Sequence, residues 1–210
     1  IGMDPRLQIM TPLRLAPIQC SAYGVPVTTG IENIDYFFTG EVMETDDSHN
    51  HYSEKLVKLP DLGVYYDTPL KIYKSEINNK KNDGITNFIS LQSNFKLLPQ
   101  HDHIYFDIIK ENPKSKFTFI STKNEFIAEK FKKRLIKISK DKGLIFKDFF
   151  IFYPQTSYEN YINLIYKSDI VLDSLDWSGL NTSLEAINLD KPIITLPSNF
   201  MRVRHTSGVL

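Results

Sequence analysis

"IVLDSLDWSGLNTSLEAINLDKPIITLP", residues 170–197, runs from one short apolar segment to another through a polar loop and a helix-like stretch. "IVLDS" and "PIITLP" read as strands and "NTSLEAINLD" as the helix between them. The helix entrance is crowded with small polar residues: Ser178, Gly179, Asn181, Thr182 and Ser183, with Glu185 just inside. An ordinary N-cap needs one such residue, and Asn181 or Thr182 would serve. The excess fits a second reading. A helix start leaves backbone N–H groups unpaired at the positive end of the peptide dipoles, a place where a phosphate or diphosphate can dock. Gly179 would admit the ligand, Asn181, Thr182 and Ser183 would donate to it, and Glu185 could accept from ribose hydroxyls. From the stretch alone both readings stand.

The same alternation extends backwards to residue 85. "ITNFISLQS", "SKFTFIST" and "FFIFYP" read as strands, and "LPQHDHIYFDIIKENP", "NEFIAEKFKKRLIKISKDKG" and "SYENYINLIYKSD" as helices. The second of these helices carries apolar residues at 126, 127, 131, 135, 136 and 138 and closes at Gly143. Strands alternating with helices predict parallel βαβ units covered on both faces, an α/β, Rossmann-like doubly wound sheet. Ligands of such sheets bind outside the carboxyl ends of the strands. "QSNFKLLP" (92–99) lies at such an end. Lys96 there stands where the next helix should begin, against the dipole, and is a candidate phosphate clamp or a solvated lysine.

Before residue 85 the pattern is less regular. Asp4 and Pro5 start a helix that Pro12 ends. "IQCSAYG" and "IDYFFTG" read as strands around the loop "VPVTTGIEN", and residues 41–60 as irregular or a short helix. Residues 67–84, poor in apolar side chains, read as a linker between a domain at 1–66 and another at 85–210. The chain opens at Ile1 and stops at "RHTSGVL", where a helix is expected to start, so it reads as part of a longer polypeptide.

Composition excludes several classes. Lys+Arg and Asp+Glu both number 25 in 210 residues, so no net charge draws the chain to nucleic acid or membrane. One cysteine, Cys20, allows no internal disulfide and suits a reducing compartment such as the cytoplasm. No apolar run reaches transmembrane length. The pairs His49/His51 and His101/His103 have no third ligand at useful spacing, so no metal is expected. "YGVPVTTG" (23–30) reads as a tight loop, Tyr158 and Tyr161 as core or base-stacking aromatics, and Arg202, Arg204 and His205 as a loop near the ligand edge.

Four blocks in order are similar to the catalytic region of O-GlcNAc transferase-like glycosyltransferases, glycosyltransferase family 41. They are "RLAPIQCSAYGVPVTTGIENIDYFFTGEVME", "HYSEKLVKLP", "QSNFKLLP" and "LDSLDWSGLNTSLEAINLDKPIITLPSNFMRVRHTSGVL". The resemblance implies a GT-B fold: the tail of an N-terminal Rossmann-like domain, then a nearly complete C-terminal one that binds a UDP-sugar. It implies an inverting, metal-independent transfer without a cofactor, most often of N-acetylglucosamine from UDP-GlcNAc to a protein Ser or Thr. Relatives that glucosylate Asn, act on other acceptors or bind without catalysis are the alternatives, and TPR repeats often precede the catalytic part. Lys96 matches the diphosphate-contacting, catalytic lysine. Gln92, Gly179, Asn181, Thr182, Ser183 and Glu185 fall on the donor side, and Tyr161 near the base. Gln19, Gly24, Pro26, Thr28 and Thr29 fall on the sugar or acceptor side. Val25 and Leu180 depart from the family pattern, Leu180 standing where relatives commonly have a second glycine.

Overall fold

A computed structural model of the chain describes residues 4–66, 84–121 and 125–210. In chain order the elements are α1 (Pro5–Met10), β1 (Cys20–Ala22), β2 (Tyr36–Gly40), β3 (Lys55–Leu59), β4 (Thr86–Ser90), α2 (His103–Glu111) and β5 (Ser115–Ile120). They continue with α3 (Glu125–Asp141), α4 (Phe146–Phe149), β6 (Phe150–Tyr153), α5 (Tyr158–Lys167), β7 (Ile170–Leu172), α6 (Asn181–Ile187), β8 (Ile193–Ile194) and α7 (His205–Val209). Contacts divide the chain into two units, Ile1–Asp67 with Leu196–Leu210, and Thr68–Thr195. Of the linker expected at 67–84, all but Gly84 lies outside the described residues.

The first unit holds a parallel sheet in the order β1-β2-β3. Asp4 caps α1 by accepting from the Arg6 amide at 2.9 Å, with Pro5 in the first turn. β2 is central and the most buried, with Phe37 and Thr39 fully enclosed. β3 falls inside the stretch expected to be irregular or helical. It pairs with β2 over five residues, and Lys55 and Lys58 in it suit an edge strand that must not recruit another. The pattern-based second domain ran to residue 210, whereas Leu196–Leu210 group with the first unit. Met201 is the reason: it is 2% exposed, and its sulfur accepts from the Thr39 and Tyr52 hydroxyls at 3.6 and 3.4 Å.

The second unit is the expected doubly wound sheet, five parallel strands in the order β6-β5-β4-β7-β8. The chain builds outward from β4 to β5 and β6, then returns to the other side of β4 to lay down β7 and β8. Adjacent residues of β4 show that both faces are covered, since side chains alternate along a strand. Phe88 joins an aromatic cluster with Tyr105, Phe106, Phe117, Phe119, Phe131 and Phe150, under α2, α3 and α4. Ile89 joins Ile165, Val171, Ala186 and Leu189, under α5 and α6. α4 was not expected from sequence; it seats Phe146 against Phe150, ring centroids 5.3 Å apart. The direction of winding reverses between β4 and β7, so their carboxyl ends open the crevice where this architecture binds ligands.

Candidate functional site

β4 and β7 pair only at Phe88↔Ile170 and Ile89↔Val171, after which their loops separate. The β4 loop turns back at once through a tight helical turn, Asn94–Lys96. This brings Lys96 over the strand end, where its Nζ donates to Gln92 Oε1 at 2.8 Å. Gln92, 6% exposed, turns its other end across the crevice and donates from Nε2 to Thr182 Oγ1 at 2.7 Å. Residues 92, 96 and 182 therefore form one chain of hydrogen bonds. Burial pulls the Lys96 ammonium below the usual lysine pKa, while the charge of Asp173 draws it back. Gln92 is its one hydrogen-bond partner among the described residues. An ammonium has three donors, so the site holds a half-buried positive charge with spare hydrogen-bonding capacity.

The β7 loop is knotted around Asp173. Oδ1 accepts from the amides of Ser174 and Gly179, each at 2.9 Å, and Oδ2 from Thr195 Oγ1 at 2.9 Å. Ser174 Oγ donates to the Trp177 carbonyl at 2.5 Å. Gly179 is thereby pressed against the hydrogen-bonded chain. A Cβ there would overlap Gln92 Nε2 and Thr182 Oγ1 and sit 3.1 Å from Ser183 Oγ. Gly179→Ala is expected to separate Gln92 from Thr182 and destabilise the protein by about 1–3 kcal/mol. An unchanged urea midpoint would mean that the crevice has more room than these contacts give it.

The helix start differs from the capped reading. Leu180 is the N-cap residue, and it supplies no side-chain hydrogen bond. Asn181 and Thr182 are the first helical residues, Asn181 exposed and Thr182 already bonded to Gln92. Leu180 has φ −122°, a negative value open to any residue, so the position needs no glycine. α6 is only seven residues long, which makes its dipole a minor term beside the full charge of Lys96. Tyr161 and Glu185 meet a helix apart, the phenol donating to Oε2 at 2.8 Å. Tyr161 also packs on the Ile89 cluster and stacks with the half-exposed Tyr158 at 6.1 Å. The structure thus links Gln92, Lys96 and Thr182 by hydrogen bonds, packs Gly179 close against Gln92, Thr182 and Ser183, and pairs Tyr161 with Glu185, with Asn181 outside these contacts.

In the first unit Gln19 turns to nearby backbone, and Thr28 and Thr29 turn to one carboxylate. Gln19 donates to Asn33 O at 2.7 Å and accepts from the Leu15 amide at 3.0 Å, which commits its amide to local structure. Thr28 Oγ1 donates to Glu54 Oε2 at 2.7 Å, and the Thr29 amide to Oε1 at 2.7 Å, with the Thr29 hydroxyl on the same oxygen. Burial alone would raise the Glu54 carboxyl; the bonds from Thr29 and Thr28 outweigh it and hold the group below the usual carboxylate range. Thr28, Thr29 and Val25 line a cavity of about 220 Å³ with Gln8, Ser21, Val27 and Ile31. Gly24 borders another, of about 420 Å³, beside α1. Pro26 lies between Val25 and Val27, which both line the smaller cavity.

Sequence reasoning missed the organisers. Asp173 ends a strand six residues before a glycine, and that spacing was a readable sign of a loop closed by an Asx-type bond. Glu54 and the buried Asp102, which Arg134 grips from α3, left no local signal because their partners are far away in sequence. Among the histidines, His101 bonds Asp176 and His103 bonds the Gln100 carbonyl. His49 and His51 lie in the turn Ser48–His51. Among the described residues no group of three or more His, Cys, Asp or Glu side chains is placed to hold a metal ion. No described helix is long and apolar enough to cross a membrane.

No family model matches the chain. A protein of Arabidopsis thaliana, named as a probable UDP-N-acetylglucosamine–peptide N-acetylglucosaminyltransferase, SPINDLY, is 23% identical over 87% of the chain. The UDP-glucose:protein N-β-glucosyltransferase of Actinobacillus pleuropneumoniae is 27% identical over 90% of it. The chain spans only 20% and 30% of the lengths of these two relatives. Among solved structures, a mutant O-GlcNAc transferase of Thermobaculum terrenum superposes with a TM-score of 0.78 at 23% identity, over 93% of this chain and 36% of that one. With the doubly wound sheet and its crevice already established, the chain is O-GlcNAc transferase-like in sequence and GT-B in fold.

Proposed function

We propose that this chain is the donor-binding part of a protein glycosyltransferase that transfers N-acetylglucosamine from UDP-GlcNAc to Ser or Thr with inversion and without a metal. The observation that carries the reading is Lys96, a half-buried ammonium with one neutral partner, at the mouth of a switch-point crevice beside a glycine loop. An anion in that crevice would recover the solvation that burial removes from Lys96. A diphosphate fits the geometry, with Lys96 on one side and the small donors Asn181, Thr182 and Ser183 on the other. Glu185, on the far side of Tyr161, suits the ribose, and the exposed edge of the Tyr158–Tyr161 stack suits the base.

In the reaction the acceptor oxygen attacks the anomeric carbon, and the bond from that carbon to the diphosphate breaks with its electron pair staying on UDP. Negative charge therefore grows on the diphosphate as the bond lengthens. Lys96 is aimed at that charge and stabilises the transition state more than the bound donor, which is what accelerates a reaction. This is the service a metal ion renders elsewhere, so none is required. The acceptor proton passes to a base or is relayed through water or a phosphate oxygen of the leaving UDP. A cytoplasmic location suits a chain with one cysteine, and TPR repeats upstream would fit the family resemblance.

A second reading follows from the bacterial relative, whose name specifies UDP-glucose and a nitrogen linkage. Calorimetry with UDP and mass spectrometry of acceptor proteins co-expressed with the enzyme separate the possibilities. UDP binding with N-acetylhexosamine added to Ser or Thr is the expected result. Hexose on Asn establishes the second reading, and binding without any transfer makes the protein a nucleotide-sugar-binding module. Absence of UDP binding overturns all three.

A further inference from the structure

The two loops of the crevice are tied at their inner ends by Gln92 and Thr182. They are tied a second time at their outer ends. His101 and Gln100, in the turn Pro99–His101 that follows Lys96, both donate to one oxygen of Asp176 at the tip of the β7 loop. The His101 Nε2–Asp176 Oδ2 distance is 2.7 Å and the Gln100 Nε2–Oδ2 distance 3.1 Å. β7 ends at Leu172, and the hydrogen bonds of Asp173 and Ser174 run to Trp177, Gly179, Ile194, Thr195 and each other, within the β7–β8 region. Asp176 carries the second tie to the β4 side.

From this we infer that His101 and Asp176 are a positioning pair that sets the gap between Lys96 and the Gly179 loop, and so the width offered to a nucleoside diphosphate. The inference rests on the diphosphate reading of the crevice. Inner and outer ties together hold the loop at two points, so Lys96 faces Gly179 across a fixed distance. With the outer tie removed, the loop segment between Ser174 and Ser178 loses its bonds to the turn Pro99–His101. It must then be ordered again each time a ligand binds, and that cost appears as lost affinity. The pair itself is half-exposed, with side chains 28% and 47% accessible. Pairs of this kind add little to global stability, so a role in spacing is separable from a role in folding.

Trp177, next to Asp176 and the single tryptophan of the chain, reports on the loop directly. The test is acrylamide quenching of Trp177 with and without UDP, together with calorimetric UDP affinity, for the wild type and His101→Ala, Asp176→Ala, the double variant and His101→Gln. Expected are stronger quenching and about fivefold weaker UDP binding in each alanine variant. The double variant should match the singles, as for two residues sharing one interaction. His101→Gln, which keeps a donor at the equivalent of Nε2, should recover most of the loss. Melting temperatures should stay within about 4 °C of wild type. Unchanged quenching overturns the mooring, and stronger quenching with wild-type affinity overturns its role in spacing the site. Stronger quenching in a protein whose wild type binds no UDP sinks the nucleotide reading and leaves the mooring in place.

Discussion

Lys96→Ala should lower turnover by a factor of about 10²–10³ while leaving the protein folded. The size follows from the charge it meets. A preorganised donor in a partly desolvated site faces a diphosphate whose charge rises during bond cleavage, and removing such a donor elsewhere costs about 2.7–4 kcal/mol. The fold should tolerate the loss because burial already disfavours the charged form of Lys96. Lys96→Met, which keeps the stem and removes the charge, is expected to match or exceed wild-type stability. Lys96→Arg should not restore full activity, since the guanidinium is larger and planar and Gln92 positions a point donor. Full turnover in Lys96→Ala, measured with the protein acceptor that wild type modifies, would remove Lys96 from the chemistry.

The second unit was legible because its strands are buried on both faces and its helices on one, so each element writes a different period into the sequence. Phe88 and Ile89 show the strand pattern at its clearest, a continuous apolar run split between two cores. α3 shows the helical one, with Ala128, Phe131 and Leu135 buried along one stripe. β3 was hidden because an edge strand with two lysines carries half the signal. The return of Leu196–Leu210 to the first unit was hidden for another reason. It depends on Met201 meeting Thr39, a contact spanning 162 positions that no local window contains.

The site divides in the same way. Lys96, Gly179 and Thr182 stood out by residue type and by place at strand ends, and the crevice does bring them together through Gln92. Of the two readings of the helix start, the cap at Asn181 or Thr182 is not formed: Leu180 takes the N-cap place, and the Thr182 hydroxyl accepts from Gln92, 90 positions away. Thr28 and Thr29 carried the expected polar atoms, but Glu54 claims both hydroxyls. A small polar side chain announces a hydrogen bond without announcing its partner. For Gln19, Thr28 and Thr29 the partners proved to be the protein itself.

Arg134→Ala is expected to cost about 3 kcal/mol of stability and to weaken UDP binding as well. Arg134 on α3 forks onto Asp102, with Nε to Oδ2 at 2.7 Å and Nη2 to Oδ1 at 3.1 Å, and Nη2 also donates to the Leu97 carbonyl at 2.7 Å. Leu97 directly follows Lys96, so this guanidinium clamps the turn that carries the phosphate ligand. Asp102 has a side chain only 4% accessible, and removing its partner strands a buried carboxylate, a change that costs about 3–5 kcal/mol in other proteins. The lower end applies because Arg134 is 29% accessible and water can enter where its side chain was. Arg134→Lys should recover little, since one ammonium cannot serve both carboxylate oxygens and a carbonyl. Adding Asp102→Ala to Arg134→Ala should return part of the stability by removing the stranded charge, but not the UDP affinity, because Leu97 stays unclamped. Urea unfolding and UDP calorimetry on the three variants decide the matter. If the double variant regains affinity along with stability, α3 supports the fold alone and has no part in holding Lys96 over the crevice.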